Sequence, residues 1–318
     1  MAAGVCIITG GLGYIGQSLA AYLSDLGESP VIVDRRAIPS QVAGIPIVSG
    51  DVGDEGTWER FVGQPIRCVF HCAGLIQVAE SVREAARYFD DNVVAGLNML
   101  RYLGERESVP MVFSSSAAVY GAPKVTPIPE ATSLNPMSPY GVTKRHFEEI
   151  LSAYERAYGS PRYVALRYFN AAGRYADVIE NHEPETHLLP RFLAAAHAGQ
   201  APVIYGTDYE TPDGTAVRDY VHIQDLVRAH VAALAYLDQG GTPTVFNVGA
   251  GRGVSVLEVS AAIKEQVPGL LDPRFEPRRP GDPPVLVADI SKAREALAWT
   301  PEASDIRQIV ADLVREEL

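Results

Sequence analysis

The chain is predicted to be an α/β protein: a doubly wound parallel sheet followed by a smaller α/β C-terminal lobe. Three observations predict this. Val- and Ile-rich runs of strand length alternate with helix-length segments through the first half. A glycine-rich turn joins the first such run to the first helix. After Asn170 the alternation gives way to Gly, Pro and acidic residues until about Gly214, and helical patterns return afterwards.

Taken in order, Val5–Thr9 reads as a strand and Ile15–Leu26 as a helix. Pro30–Asp34, Ile45–Ser49, Arg67–Ala73 and Pro110–Ser115 read as four further strands. Glu84–Arg106 is one long amphipathic segment, and Ser138–Tyr158 is a second long helix, followed by a strand at Arg162–Phe169. Leu188–His197 is the clear helix of the Gly- and Pro-rich region. Asp225–Tyr236 is helical, Thr244–Val248 is a strand, and Ser255–Val267, Ser291–Leu297 and Ala303–Glu316 close the chain as helices. The expected organisation is a dinucleotide-binding part, residues 1–169 with 219–248, and a substrate part, residues 170–218 with 249–318. The cleft between them is the expected ligand site.

The 318 residues carry a net charge of −12, with 47% hydrophobic and 21% charged residues. That balance suits a folded globular chain and argues against a nucleic-acid partner, whose phosphates an acidic surface repels. Cys6, Cys68 and Cys72 lie in apolar runs and read as reduced, buried thiols; none has zinc spacing, so no metal is expected. With no basic leader and no apolar run of membrane length, the expectation is a cytoplasmic chain with no membrane partner.

Gly11, Gly13 and Gly16 form G-x-G-x-x-G, and Gly10, Gly13 and Gly16 form G-x-x-G-x-x-G. Strand before, helix after, this is the Rossmann turn: absent side chains let a pyrophosphate approach the backbone at a helix N-terminus. Asp34 ends the second strand about 20 residues on, where a carboxylate accepts from ribose hydroxyls and repels a 2′-phosphate. NAD is therefore the expected cofactor, although Arg35 and Arg36 stand directly behind Asp34.

Tyr140 and Lys144 form Y-x-x-x-K, which on a helix places both on one face. The ammonium and a cationic nicotinamide are expected to lower the phenol's pKa and make it a base. Ser114, Ser115 and Ser116 end the fifth strand, where such sheets bind ligands, and Ser116 is the expected hydrogen-bond relay to Tyr140.

Thr9–Gly16, Ser114–Gly121 and Tyr140–Lys144 resemble the extended short-chain dehydrogenases/reductases. Arg167–Gly173, Asp213–His222 and Arg278–Asp282 narrow the resemblance to the UDP-glucose 4-epimerase family, over essentially the whole chain. The resemblance implies an isomerase acting on UDP-glucose and UDP-galactose. Tyr140 takes the 4-hydroxyl proton through or beside Ser116, and hydride passes from C4 to NAD. The 4-keto sugar then rotates and takes hydride back on its other face. Lys144 holds the nicotinamide ribose.

The same resemblance assigns Gly10, Gly13, Tyr14, Ile15, Gly16, Asp34, Asp51, Val52, Ala73, Gly74, Asn92, Ser114, Tyr140, Lys144 and Tyr168 to the cofactor. It assigns Ser116, Tyr140, Asn170, His187, Leu188, Val203, Tyr205, Arg218, Tyr220, Arg279, Asp282 and Leu286 to the UDP-sugar. There are three departures from what some members carry: Ile76 in place of a lysine, Thr186-His187 in place of two asparagines, and Leu286 in place of the gate tyrosine of members restricted to non-acetylated hexoses. The leucine implies a roomier pocket that admits an N-acetyl group. A homodimer through a four-helix interface is also implied, with Leu97, Leu100 and Ile150 on it or in the core.

Ala117-Ala118 carry no proton-transfer group where a 4,6-dehydratase needs an acid/base pair. UDP-uronate and UDP-pentose epimerases remain open alternatives. So does a non-catalytic nucleotide-sugar-binding protein, against which the intact Ser116, Tyr140 and Lys144 argue.

Overall fold

The computed structural model describes residues 4–104, 109–180, 184–267, 269–279 and 281–315. In chain order the first half contains β1 (Val5–Thr9), α1 (Tyr14–Asp25), β2 (Pro30–Asp34), β3 (Ile47–Ser49), α2 (Glu55–Glu59) and β4 (Ile66–His71). Then come α3 (Val78–Arg83), α4 (Ala85–Phe89), α5 (Ala95–Gly104), β5 (Met111–Ser116), α6 (Pro139–Tyr158) and β6 (Tyr163–Tyr168). The second half contains β7 (Asn170–Ala172), α7 (Leu188–His197), β8 (Val203–Tyr205), β9 (Val217–His222), α8 (Ile223–Asp238) and β10 (Thr244–Val248). It ends with β11 (Gly253–Ser255), α9 (Val256–Gln266), β12 (Arg274–Glu276), β13 (Val285–Leu286), α10 (Ser291–Leu297) and α11 (Ile306–Val314).

Seven parallel strands form the central sheet in the order β10-β6-β5-β4-β1-β2-β3. The order reverses between β1 and β4, which opens a crevice at the strands' C-terminal ends. Alternate residues of β1 feed opposite faces. Ile8 joins Leu19 and Leu23 of α1 and Leu226 and Leu237 of α8 in one core. Ile7 joins Trp58, Met99, Phe147 and Leu151 beneath α2, α5 and α6. Each fully buried side chain of this kind contributes roughly 1.5–3 kcal/mol.

A third core gathers Leu189, Phe192, Ile204, Tyr220, Ile263 and Ile309 from α7, β8, β9, α9 and α11. Around it lie a sheet of β11, β9 and β13, with β7 pairing β9, and a two-stranded sheet of β12 and β8. These strands, of two to six residues, are the part of the fold that sequence patterning missed. Most are too short to show a period of two, and packing rather than propensity makes them strands.

The predicted central strands and most helices stand within two residues of their expected ends. Two expectations change. The long segment from Glu84 is not one α-helix: a π turn at Asp90–Val94 separates α4 from α5, and Arg106 lies outside the described residues. The last helix begins at Ile306, because Asp305 caps it by accepting from Arg307 N, and Glu316 lies outside the described residues. Cys6 and Cys68 are buried, Cys72 is half-buried, and all three are free. No helix among the described residues is long and apolar enough to cross a membrane.

Candidate active site

The glycine turn is sterically obligatory. Gly10 has φ +64°, and a Cβ there would stand 2.6 Å from the Ala73 Cα. A Cβ on Gly16 would stand 2.6 Å from the Gly10 carbonyl oxygen. Gly13 starts α1 with no side-chain cap and no acidic residue in the first turn. The first-turn N–H groups of Tyr14, Ile15 and Gly16 therefore lack intrahelical acceptors and form an anion cradle. Tyr14 is itself buried, and its hydroxyl donates to the Gly173 carbonyl at 2.6 Å. That bond fastens the turn to the loop after β7.

Asp34 lies where the spacing placed it, buried at the end of β2. Its carboxylate accepts from Leu12 N at 3.0 Å and from the Arg36 backbone N, Nε and Nη2 at 2.9, 3.0 and 2.9 Å. Burial alone raises this carboxyl, but the bonds from Arg36 and Leu12 outweigh it and hold the group below its ordinary value. Arg35 turns the other way, forking onto Asp91 at 2.8 Å and reaching Asp51 at 3.3 Å. Asp51 also accepts from Gly53 N, and the Val52 carbonyl accepts from Trp58 Nε1. A cradle that any Cβ would fill, an open helix end and a buried acid at the second strand together fit a dinucleotide.

The far wall of the crevice is the turn after β4. A Cβ on Gly74 would come within 2.9 Å of Asn92 Oδ1, so only glycine leaves this wall open. Asn92, in the π turn, is buried and fully engaged: Oδ1 accepts from Leu75 N at 2.7 Å, and Nδ2 donates to the Leu75 carbonyl and Thr143 Oγ1. It shapes the wall made by Ala73 and Gly74 and ties that wall to α6. The π turn explains the broken helix, since such bulges gather at functional positions.

Tyr140 and Lys144 are brought together with β5 as expected. Ser138 caps α6 through Gly141 N, and Pro139 occupies its first turn, so Tyr140 opens the helix beside the strand end. The Ser116 hydroxyl, which accepts from Ala118 N at 3.2 Å, lies close enough to the Tyr140 phenol to draw its pKa down. Lys144 is buried; its Nζ donates to the Ser114 carbonyl at 2.9 Å and lies 5.9 Å from the Tyr140 ring centroid.

From the chain's own groups alone, the Tyr140 pKa is raised, because burial dominates and Ser116 offsets it only in part; the expected lowering also draws on the charge of the nicotinamide. Burial also lowers Lys144 to about 8, with Cys72 and Glu148 opposing that shift.

Tyr168 joins the same cluster through a network. Its hydroxyl bonds Ser114 Oγ at 2.8 Å and His230 Nε2, while His230 Nδ1 meets the Leu226 carbonyl at 2.9 Å. Burial lowers His230 to about 4, so the ring is neutral at pH 7. His71, beneath the same strand ends, bonds Thr9 Oγ1 at 2.7 Å and is lowered by burial to about 3. Sequence reading missed both histidines, because their significance is set by partners 62 residues away.

β7 leads from this cluster to the second group of residues. Asn170 pairs with Tyr220 across β7 and β9, and its Nδ2 donates to the Asp219 carbonyl at 3.0 Å. Arg218 faces Leu286 in the β9–β13 register. Its guanidinium bonds Asp282 Oδ1 at 2.5 Å and the carbonyls of Val217, Pro283 and Pro284. The Arg279 guanidinium lies 4.2 Å from the Tyr205 ring centroid, and Pro280 is outside the described residues.

The Tyr205 phenol is held below its usual value, chiefly by the guanidinium of Arg191 and also by that of Arg279. Arg191 was not foreseen; its position one turn beyond His187 and Leu188 on α7 was the available signal. His187 stands at the N-terminal end of α7 without a side-chain cap bond and pairs through Nδ1 with Glu180 at 2.5 Å, while Leu188 packs toward the third core. Val203 lies in β8, paired with β12, and Tyr220 is buried. Ile76 is exposed.

Residues 6–249 match the model of the NAD dependent epimerase/dehydratase family. The UDP-glucose 4-epimerase of Corynebacterium glutamicum is 39% identical over 320 residues, covering 96% of this chain and 93% of that one. The crystal structure of UDP-glucose 4-epimerase from Brucella ovis in complex with NAD superposes with a TM-score of 0.93, at 39% identity, over 98% of this chain and 97% of that one. The UDP-Glc/GlcNAc 4-epimerase of Campylobacter jejuni superposes with a TM-score of 0.85, at 32% identity, over 98% of each chain. With a family model over most of its length and such relatives end to end, the chain belongs to the NAD-dependent epimerase/dehydratase family, alongside the UDP-glucose 4-epimerases.

Proposed function

We propose that this chain interconverts UDP-glucose and UDP-galactose, and their N-acetyl forms, by NAD-dependent epimerisation at C4. The observation that carries the reading is the grouping of Tyr140 with Ser116 and the buried Lys144, whose Nζ bonds the Ser114 carbonyl, at strand ends that also hold the glycine cradle. NAD supplies, when bound, a hydride acceptor that returns what it takes.

The chain's own groups do the rest. Tyr140 accepts the 4-hydroxyl proton, with Ser116 as relay, and gives it back to the opposite face of the 4-keto sugar. Its raised pKa favours the return step, and the Lys144 ammonium, present below about pH 8, supplies the opposing charge for the phenolate. Arg218 and Arg279 hold the diphosphate, whose oxygens match guanidinium forks. Asn170, His187, Leu188, Val203, Tyr205, Tyr220, Asp282 and Leu286 complete the sugar-nucleotide side. The cofactor side is Gly10, Gly13, Tyr14, Ile15, Gly16, Asp34, Asp51, Val52, Ala73, Gly74, Asn92, Ser114, Lys144 and Tyr168.

Residues 1–169 with 219–248 serve as the dinucleotide part, and 170–218 with 249–318 as the substrate part. Leu286, half-buried against the main core, is smaller than the tyrosine of other members, and that difference is the ground for admitting an N-acetyl group. A homodimer through α5 and α6, a cytoplasmic setting and a role in galactose metabolism belong to the same proposal. For that interface, Leu97 and Ile150 are half-buried and available, whereas Leu100 is core.

The test is to incubate the purified protein, without added cofactor, with UDP-glucose, UDP-N-acetylglucosamine and UDP-glucuronate and to resolve the products. Epimers of the first two are expected. Turnover of the uronate alone, or none, overturns the reading.

A further inference from the structure

Behind the reactive pair lies a buried ion pair. Glu148 follows Lys144 by one helical turn and Tyr140 by two, on the inward face of α6, and both Glu148 and Arg167 are buried. Arg167 grips Glu148 with two parallel bonds, Nε to Oε1 at 2.9 Å and Nη2 to Oε2 at 2.6 Å. Ser115 Oγ donates to Oε1 at 2.5 Å. Ser115 sits between Ser114, whose carbonyl receives Lys144, and Ser116, whose hydroxyl lies beside the Tyr140 phenol. Arg167 precedes Tyr168 and stands opposite Ser115 in the β5–β6 register.

The network continues outward. Arg167 Nη1 donates to the Tyr120 hydroxyl at 2.9 Å and the Glu130 carbonyl at 3.2 Å. The Tyr120 hydroxyl donates to Asn247 Oδ1 at 2.7 Å, and Asn247 N donates to Glu130 Oε1 at 2.8 Å.

Net stability does not explain such a pair, because the desolvation of two buried charges roughly cancels their attraction, and an apolar pair of similar volume packs as well. What an apolar pair lacks is direction. Two parallel bonds plus a third from Ser115 define both the rotation of α6 about its axis and its height along β5. We propose that Glu148 and Arg167 are positioning residues for C4 proton transfer, holding α6 where Tyr140 meets Ser116 and Lys144 meets Ser114. The proposal rests on the epimerase reading above. Glu148 has a second effect, because its charge opposes the burial that lowers Lys144.

The double variant Glu148→Leu/Arg167→Met tests this, with wild-type turnover of UDP-galactose measured alongside as the separate check of the epimerase reading. The expected result is a folded protein with wild-type thermal midpoint, retained NAD and unchanged KM. Its kcat falls ~30–100-fold, the size of a misplacement of about 1 Å. The alkaline limb of its pH profile moves to lower pH, since Lys144 loses the carboxylate that keeps it charged. Wild-type kcat and an unmoved limb in the folded double variant overturn the proposal.

If that variant does not fold, Ser115→Ala decides, as it keeps the ion pair and removes one of the three bonds. Its kcat is expected to fall ~3–10-fold at constant KM, as one lost hydrogen bond would give, with rescue by Ser115→Thr. A wild-type kcat for Ser115→Ala overturns the proposal as well.

Discussion

The two sides of the crevice are built on different terms. On the side proposed for the cofactor, Asn92, Ser114 and Lys144 are buried, and each is hydrogen-bonded within the chain. On the side proposed for the sugar nucleotide, Arg218 is bonded to Asp282, and the Arg279 guanidinium lies over the Tyr205 ring. The Asp282 side chain remains 30% exposed. The first wall is preorganised. The second holds its cations against internal partners, which the diphosphate proposed there would have to displace. Substitutions on the two walls should therefore fail differently, in kcat on one and in KM on the other.

The largest effect expected is on the preorganised side. Tyr140→Phe removes the proton carrier, and kcat should fall ~10³-fold with NAD content unchanged, within the range for general acid–base groups. Loss of NAD with that rate would mean that the phenol holds the cofactor instead. Next, Arg218→Met should raise KM about 10–100-fold and leave kcat within a few-fold, as the loss of charge-assisted bonds made equally in ground and transition states. A fall in kcat at constant KM would erase the contrast between the walls.

Leu286→Tyr sharpens it further. The ratio of kcat/KM for UDP-N-acetylgalactosamine over UDP-galactose should drop ~10-fold or more, by filling a hydrophobic pocket. An unchanged ratio would remove Leu286 from the substrate wall.

Smaller effects test the charges. Lys144 titrates near 8, depressed from the ordinary lysine value by burial, so its ammonium is present below that pH and is lost as pH rises through it. Rebinding of NAD to the stripped protein should weaken several-fold above about pH 8, and Lys144→Arg, which keeps its proton there, should abolish that limb. Binding that is flat from pH 7 to 10 in the wild type would separate Lys144 from the cofactor. Least of all, Arg36→Ala frees the Asp34 carboxylate from an exposed partner, and NAD affinity should rise about 2–5-fold, the scale of a surface ion pair. Weaker binding would show that Arg36 is itself a ligand.

The contrast also separates what could be read from sequence and what could not. The glycine turn, Asp34, Ser116, Tyr140 and Lys144 were legible because their meaning is carried by local spacing. A turn before a helix, an acid at a strand end and an i,i+4 pair are written within a few residues. The same reading left out the effect of burial on the Tyr140 phenol, because burial belongs to the whole fold. It saw one long helix where a π turn around Asn92 interrupts it, a distortion held by Leu75 and Thr143 from elsewhere in the chain. It passed over Arg191, His71, His230 and Glu148, which have no motif of their own.

By itself the sequence determined the parallel sheet, the order of its central elements and the chemistry available at its strand ends, because hydrophobic period and glycine placement act over short distances. Tertiary structure alone decided how that chemistry is held. The engagement of Asp34 by Arg36, the seating of α6 on Arg167, and the small sheets carrying Arg218 and Leu286 all depend on contacts that no local pattern records. The physical reason is that charge states and short strands are stabilised by what surrounds them, and their surroundings exist only once distant segments have packed.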